Sequence, residues 1–381
     1  MMQLINKTKN NIMFYDYLVF AFFVSFICTR IVSMPDLLAN FFPALIGLLC
    51  FVYVFVRKDC NVKEYAIVIS LFLSILEIIG IAINSNNSFY DIIWIWSYMG
   101  VALIIGSYNL NAKLLLILFY GVAIFFVYCM MQGIAADDVL SIGSENNISV
   151  YLLLLVCLYF YSIRKENQLP YIPILLTLVI TLWSASRGGL ISVGLLLVGA
   201  SLYNYTQIKG RKNLIIFLII LALFSCFFGI DSFNSLLEPM ETKFRNYGAE
   251  SLRFLIWNDY FNSALNDPIQ FVFGVKIFNF SNVWLSHYGN PHNSFLTLHA
   301  NFGMLGVFFV FFGFMKKIID ILVQRDFVFF VILAALISRS FFDWTAFSGP
   351  YDAFYFAILL MSFSKPELQD AGLYGNKLNV I

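Results

Sequence analysis

The chain has 381 residues, of which 61% are hydrophobic and 12% are charged, and its mean hydropathy is +0.83. Soluble domains carry about 45–50% apolar and about 25% charged residues, so this composition excludes both a soluble enzyme and a disordered protein. The net charge of +1 leaves no electrostatic footprint for nucleic acid. We therefore expect an integral membrane protein.

Long apolar runs follow one another along the whole chain. They do not alternate between apolar and polar residues, which favours membrane-spanning helices over a β-barrel. Because a bilayer core requires about 20 residues of helix, the sequence predicts an all-α polytopic protein with about twelve transmembrane helices. We interpret residues 1–381 as a single integral membrane domain. The predicted spans are 14–32, 37–56, 65–83, 91–108, 113–131, 148–163, 171–186, 188–205, 213–230, 295–314, 327–344 and 351–364.

Lysine and arginine residues predict the orientation of these spans. With the N-terminus in the cytoplasm, 16 of the 23 cations fall on inner segments and 7 on outer segments. Both termini are then cytoplasmic, and one helix more or fewer would destroy this alternation. The outer cations are Arg30, Arg187, Lys243, Arg245, Arg253, Lys276 and Arg339.

One outer segment, residues 231–294, is much longer than the others and is predicted to be a large periplasmic loop. Within it, Ser251 is suited to cap a helix that ends before Pro268. Leu252, Leu255 and Ile256 would give this helix an apolar face. The helix is therefore expected to lie on the membrane surface or to pack on the bundle.

The apolar stretch from Tyr171 to Tyr205 is too long for one span, since about 35 residues of helix would measure about 52 Å. Arg187 is the charged residue within it. We expect the chain to turn at Ser186-Arg187-Gly188-Gly189, because glycine tolerates the backbone angles that a turn needs.

All three histidines, His287, His292 and His299, lie within thirteen residues where the long loop meets the tenth span. Their spacing suits neither one helical face nor a zinc site. A single interfacial histidine is more often structural, but the cluster at one mouth favours a functional role. His292 is the expected general base, because imidazole titrates near neutral pH, and Asn293 would orient its ring or hold an acceptor. His287 is expected to be solvated, whereas His299 suits packing as well as chemistry.

The outer arginines are the second signal, because arginine in or near membrane segments is costly. Its planar guanidinium suits phosphate, so Arg187, Arg253 and Arg339 are candidates for binding a diphosphate. Arg245 either supports them or is an ordinary solvated loop charge. Arg339 also has a structural alternative, since Asp343 follows four residues later and could form an ion pair with it.

Glu77 is the clearest acidic residue within a predicted span. It could relay protons or pair with an outer arginine. Its position two turns from the outer end also allows simple snorkelling, so the sequence leaves its role open.

This combination is typical of an enzyme that acts on a diphosphate-bearing lipid at the outer leaflet. The arginines would hold the diphosphate leaving group and the histidine would move a proton. The outer segments contain no DxD-type acidic pair, so we expect neither a metal nor another cofactor. A transporter or flippase for a polyanionic lipid would use the same arginines without bond chemistry. The clustered histidines and the lack of a recognisable internal repeat favour the enzyme.

Three short motifs carry a resemblance to a known family. Residues 183–190 (WSASRGGL), 253–257 (RFLIW) and 291–296 (PHNSFL), the last followed by GMLG at 303–306, resemble the O-antigen polymerase and ligase superfamily. Their order also fits: an arginine between two helices, an arginine in the large loop, and histidine-asparagine before a late span. The resemblance covers about residues 170–345.

The resemblance implies a GT-C-like, metal-independent glycosyltransferase in the bacterial inner membrane. Its partners would be undecaprenyl-diphosphate-linked oligosaccharides, the lipid bilayer, a flippase and a chain-length regulator. A polymerase joins such repeat units, whereas a ligase transfers the finished glycan to lipid A-core. Ligases of the family tend to show a His-x-His-Asn-Glu arrangement, and the sequence around His292 lacks the first His and the Glu. We therefore favour polymerase over ligase.

Overall fold

The computed structural model describes residues 12–57, 62–84, 88–207, 212, 215, 253–278, 283–347 and 349–363. The regular elements in these residues are all helical, and the structure is 80% helix. The first six α-helices are α1 (Phe14–Ile31), α2 (Asp36–Val56), α3 (Lys63–Asn84), α4 (Phe89–Ser107), α5 (Ala112–Met131) and α6 (Asn146–Ser162), with a 3-10 turn at Ala136–Asp138. The others are α7 (Ile172–Trp183), α8 (Arg187–Thr206), α9 (Arg253–Asn266), α10 (Pro268–Phe273), α11 (Val283–Tyr288), α12 (Ser294–Gln324), α13 (Phe327–Phe342) and α14 (Asp352–Phe363).

These helices confirm the predicted polytopic membrane architecture. Eleven of the twelve predicted spans have a helical counterpart, and the remaining one, 213–230, falls almost entirely outside the described residues. Within the described part of the chain, α1 to α5 and α8 are long and apolar enough to cross a membrane, and α6, α7, α13 and α14 are shorter apolar helices. Side-chain amides and carboxylates cap the N-terminal ends of several helices. Asn111, for example, accepts hydrogen bonds from the second and third backbone N–H groups of α5.

Helices α6 and α14 form the centre of the bundle. Residues 148–161 of α6 are all buried, as are residues 353–360 of α14. A helix that is apolar all round is suited to such an interior position. Helix α14 packs against α4 and α12, and α8 packs against α13. Between α2 and α4, a β-carbon added to Gly100 would lie 2.6 Å from the backbone nitrogen of Phe51, so small residues allow these helices to approach closely.

The predicted corner between α7 and α8 exists, but glycine does not make the turn. Helix α7 ends at Trp183 and α8 begins at Arg187, and Ala185 between them adopts a left-handed backbone conformation with a φ of 46°. The glycines lie inside α8, where their missing side chains permit close packing. A β-carbon added to Gly188 would lie 2.6 Å from Cβ of Phe342, and one on Gly189 would lie 2.6 Å from Oγ of Ser149.

The predicted loop helix is α9, and it packs on the bundle. Its buried stripe contains Ile256, Tyr260 and Ala264, which recur every four residues. Ile256 of the predicted apolar face is buried, whereas Leu255 is exposed, as is Leu265. Ser251 and Leu252 lie outside the described residues. The stripe contacts α11 and the first turns of α12, which fixes this part of the loop beside the histidines.

Helix α12 is broken at Gly303, whose φ of 62° and ψ of −170° are not helical. The C-terminal end of α10 lies against this break. A β-carbon on Gly303 would lie 2.9 Å from Cα of Phe273, and the left-handed Gly274 approaches the backbone of His299 and Ala300 equally closely. Two glycines therefore let the loop segment dock directly on the backbone of α12, as their lack of a Cβ permits.

Candidate active site

His292 lies immediately before α12 in a strained backbone conformation. Its φ of 47° is left-handed, which is uncommon for residues other than glycine, although histidine, asparagine and aspartate adopt it more often than most. Its backbone N–H donates to Oδ1 of Asn290 at 2.8 Å. Such outliers cost about 1–3 kcal/mol each and cluster at functional sites. Ala185, Arg325 and Phe347 share this conformation, so the case for His292 rests on its side-chain contacts as well.

Asp343 links His292 to Arg339. Nδ1 of His292 lies 3.7 Å from Oδ1 of Asp343, and an Nη atom of Arg339 lies 3.1 Å from Oδ2 of the same carboxylate. The second bond confirms the ion pair that the i,i+4 spacing allowed. Arg339 is only 1% exposed and also donates to the carbonyl of Asn146 at 3.1 Å. Its guanidinium therefore supports Asp343 from within the bundle.

The charges around Asp343 keep it ionised. Burial alone would raise the pKa of this carboxyl, but Arg339, His292 and Arg253 together hold the pKa well below its usual range. Arg253, the first residue of α9, shows the converse effect. Burial lowers the pKa of its guanidinium, Asp343 opposes this shift, and the positive charges of Arg339 and Arg187 add to it.

The structure therefore brings the three predicted arginines into one electrostatic cluster. Arg187 is the first residue of α8 and is half-buried. The neighbouring Gly188 packs against Arg339, because a β-carbon there would lie 3.2 Å from one of its Nη atoms. The start of a helix carries partial positive charge. Both the guanidinium of Arg187 and the start of α8 therefore favour the binding of an anion. Arg245 lies outside the described residues.

His292 and Asp343 also line a cavity of about 780 Å³. The connections that were predicted to share one side of the membrane meet around it: the end of α1, the starts of α2, α4 and α6, and the segments beside His292 and Asp343. Sequence reasoning did not anticipate the contribution of the first half of the chain. Its lining residues include Arg30, Asn40, Tyr90, Asp91 and Asn147.

Three further predicted residues, Asn293, His287 and Glu77, lie in different environments. The side-chain oxygen of Asn293 caps α12, where it accepts hydrogen bonds from Phe295 N at 2.9 Å and Leu296 N at 3.2 Å. This contact orients the helix that follows His292. His287 is exposed at the end of α11, and Glu77 is fully buried within α3.

His299 is a buried fastening point for the loop. Its Nδ1 lies 2.7 Å from the hydroxyl of Tyr260 on α9, and its Nε2 lies 2.7 Å from the carbonyl oxygen of Phe271 on α10. Since a carbonyl only accepts, Nε2 carries a proton in this arrangement. The imidazole therefore ties two loop helices to α12.

A comparison with protein families matches this region. Residues 172–311 match the family model described as O-antigen ligase, and this segment contains Arg187, Arg253 and His292. No curated protein and no solved structure matches the chain. Over residues 172–311, this match supports the predicted resemblance to the O-antigen ligase and polymerase superfamily.

Proposed function

We propose that the protein is an O-antigen polymerase that joins undecaprenyl-diphosphate-linked repeat units at the periplasmic face of the bacterial inner membrane. The observation that carries this proposal is the contact between His292 and Asp343, 3.7 Å apart, at the wall of a cavity and beside an arginine cluster. The matched family supports a reaction of the polymerase or ligase type. The single membrane domain with its loop at residues 231–294 and the cytoplasmic termini belong to the same proposal.

His292 would act as the general base. The acceptor is a sugar hydroxyl, which must lose its proton as the new bond forms, and a positioned base accelerates such a step by about 100- to 10,000-fold. The ionised Asp343 would orient the ring through Nδ1 and stabilise the imidazolium that results. Arg339 would keep this carboxylate charged and in place.

Arg187 and Arg253 would bind the leaving diphosphate. The acceptor oxygen forms a bond to the anomeric carbon of the donor sugar, the bond from that carbon to the diphosphate oxygen breaks, and the proton passes to His292. Negative charge therefore grows on the diphosphate during the reaction. Guanidinium groups make paired, charged hydrogen bonds to phosphate oxygens, and the start of α8 adds to the positive potential.

A ligase is the second candidate, because the matched family model is described as O-antigen ligase. It would use the same arginines and histidine but transfer the glycan to lipid A-core. The polymerase is favoured because His292 lacks the histidine and glutamate neighbours of the His-x-His-Asn-Glu arrangement. A flippase and a chain-length regulator are the proposed further partners.

The surface glycan of a deletion strain separates these functions. Loss of the long-chain ladder with one repeat unit retained on the lipid core indicates a polymerase. Loss of every repeat unit from the core indicates a ligase. An unchanged glycan would remove both. Purified protein that forms polymer from lipid-linked repeat units would in addition exclude a transporter, which moves the lipid without joining it.

A further inference from the structure

The cavity is lined by His292 and also by residues from the first half of the chain. Arg30 is one of these residues. Arg30 is in the last turn of α1, where its Nη2 donates to the side-chain oxygen of Asn40 on α2 at 2.8 Å. Its guanidinium also lies 5.1 Å from the ring centroid of Phe26. Arg30 therefore contacts a neutral amide and an aromatic ring, and neither of them is a carboxylate.

Two exposed aromatic side chains, Tyr90 and Trp344, line the same cavity. Tyr90, on the first turn of α4, is 52% exposed, and Trp344, which follows Asp343, is 44% exposed. The backbone N–H of Trp344 donates to Oδ1 of Asp343 at 2.9 Å, so its position is fixed relative to the carboxylate beside His292. Exposed aromatic rings present an electron-rich face to a ligand, and the C–H groups of a sugar ring are suitable partners for it.

The His292–Asp343 pair adjoins both the cavity and the arginine cluster. His292 and Asp343 are among the residues that line the cavity, whereas Arg187 and Arg253 are absent from its lining in the described part of the chain. Arg253 nevertheless interacts with Asp343 through its charge. The His292–Asp343 pair thus adjoins the cavity, while Arg253 acts on Asp343 without lining that cavity.

We propose that this cavity is the acceptor subsite and that it binds the saccharide of the incoming repeat unit between Tyr90 and Trp344, with Arg30 and Asn40 donating hydrogen bonds to its hydroxyls. The inference rests on the proposed glycosyl transfer. A pocket that combines aromatic surface with a few fixed polar groups is suited to a sugar. The aromatic rings contact the faces of the sugar ring, and the polar groups bind the hydroxyls at its edges. The acceptor hydroxyl would then reach His292 from the cavity, while the donor diphosphate stays at the arginine cluster.

The test measures binding and polymerisation separately in the purified full-length protein in lipid nanodiscs. The binding probe is the free oligosaccharide of one repeat unit, without lipid or phosphate, monitored by saturation-transfer NMR. Polymer formation from lipid-linked repeat units is followed on gels. The variants are Tyr90→Ala, Trp344→Ala and Arg30→Gln. Tyr128→Ala is the matched control, because Tyr128 is 58% exposed at the end of α5 and is not among the residues that line the cavity.

We expect the oligosaccharide to bind the wild type and the control equally, and each cavity variant about tenfold more weakly. Inhibition of polymerisation by inorganic diphosphate should be unchanged in the cavity variants. Equal oligosaccharide binding by all variants, or polymer formation by a wild type that does not bind the oligosaccharide, would overturn the acceptor subsite alone. A wild type that binds the oligosaccharide but forms no polymer would instead overturn the proposed function.

Discussion

His292 and Asp343 are separated by 51 positions in the chain, yet Nδ1 of the histidine lies 3.7 Å from Oδ1 of the aspartate. The aspartate directly follows α13 as its C-cap, and the histidine lies one residue before the N-cap of α12. The side chain of Ser294 joins the two segments directly, since its hydroxyl donates to the carbonyl of Asp343 at 2.8 Å. The geometry of the pair is therefore held by hydrogen bonds between the two helix ends.

The strained backbone of His292 allows its chemistry to be tested apart from its structural role. His292→Gly should abolish the long-chain ladder, with a loss of about 100- to 10,000-fold in rate. The same variant should be at least as stable as the wild type, because glycine adopts the left-handed conformation without a penalty. Glycan gels and thermal unfolding in detergent measure the two effects. His292→Ala retains the strain and is the control; a normal ladder from both variants would remove the base from the mechanism.

Arg339 and Asp343 are expected to act as a unit in stability. Removing one partner of a buried ion pair leaves an uncompensated charge, which costs about 3–5 kcal/mol. Arg339→Met and Asp343→Leu should each lower the amount of folded protein and its unfolding temperature. The double variant should be more stable than the sum of the two effects predicts, because neither member of the pair is then left as an unpaired buried charge. Strict additivity in this cycle would contradict the pairing of Arg339 with Asp343.

Arg187 and Arg253 are expected to contribute geometry as well as charge. Arg187→Lys and Arg253→Lys keep the positive charge but lose the planar fork, so polymer formation should fall strongly while the protein remains in the membrane. Polymerisation assays and immunoblots of membrane fractions measure these outcomes. Lys276→Ala is a suitable control, since Lys276 lies on the same loop and is exposed. Full activity of Arg187→Ala would refute diphosphate binding at this position.

His299 is expected to stabilise the loop without taking part in the chemistry. His299→Ala removes the ties of α12 to both α9 and α10 and leaves the Phe271 carbonyl without this partner, which costs about 1–3 kcal/mol for a buried group left unsatisfied. The Tyr260 hydroxyl keeps its hydrogen bond to the carbonyl of Leu296 in that variant. Tyr260→Phe removes the contacts of this hydroxyl with His299 and Leu296 but keeps the tie between His299 and α10, so it should be milder. Limited proteolysis of the loop should increase in the order wild type, Tyr260→Phe, His299→Ala. If His299→Ala folds normally but forms no polymer, the wrong histidine has been assigned to catalysis.

The proposed orientation is open to a direct test. Reporter fusions at Gly143, Gly248 and Gly349 should read periplasmic, and those at Lys58, Arg211 and Lys317 should read cytoplasmic. Gly143 and Gly349 line the same cavity, so their reporters must agree whichever way the protein is inserted. Disagreement between them would contradict the arrangement of the bundle. A cytoplasmic result at both would remove the site from its proposed substrate.

The sequence predicted the elements better than their contacts. Apolar runs predicted the spans because every backbone group of a membrane helix is satisfied within the helix, which makes each span a local feature. The corner before Arg187 was predicted for the wrong reason, since the glycines serve packing between helices and Ala185 makes the turn. Packing partners distant in the chain leave no local signal of this kind.

The candidate site shows the same division. The arginines and His292 were identifiable because cations and imidazoles are rare in so apolar a chain. The proximity of Asp343 to His292 depends on how two helix ends meet, and no spacing in the sequence reveals it. Arg30 was counted among the outer cations, but Tyr90 and Trp344 were hidden among the many aromatic residues of the chain. Only the cavity distinguishes them.

The segment of residues 172–311 contains only part of the site. His292, Arg187 and Arg253 lie within it, whereas Asp343 and the cavity wall formed by Arg30 and Tyr90 lie outside. A chimaera that receives residues 172–311 from a relative would therefore import the base and both diphosphate ligands but keep the acceptor wall of its host. Such a protein would recognise the incoming sugar of the recipient strain. The imported His292 would have to pair with the recipient's own carboxylate at position 343. Under the proposed mechanism, exchange of glycan specificity would require the segments that contribute Arg30, Tyr90 and Asp343 to move together with residues 172–311.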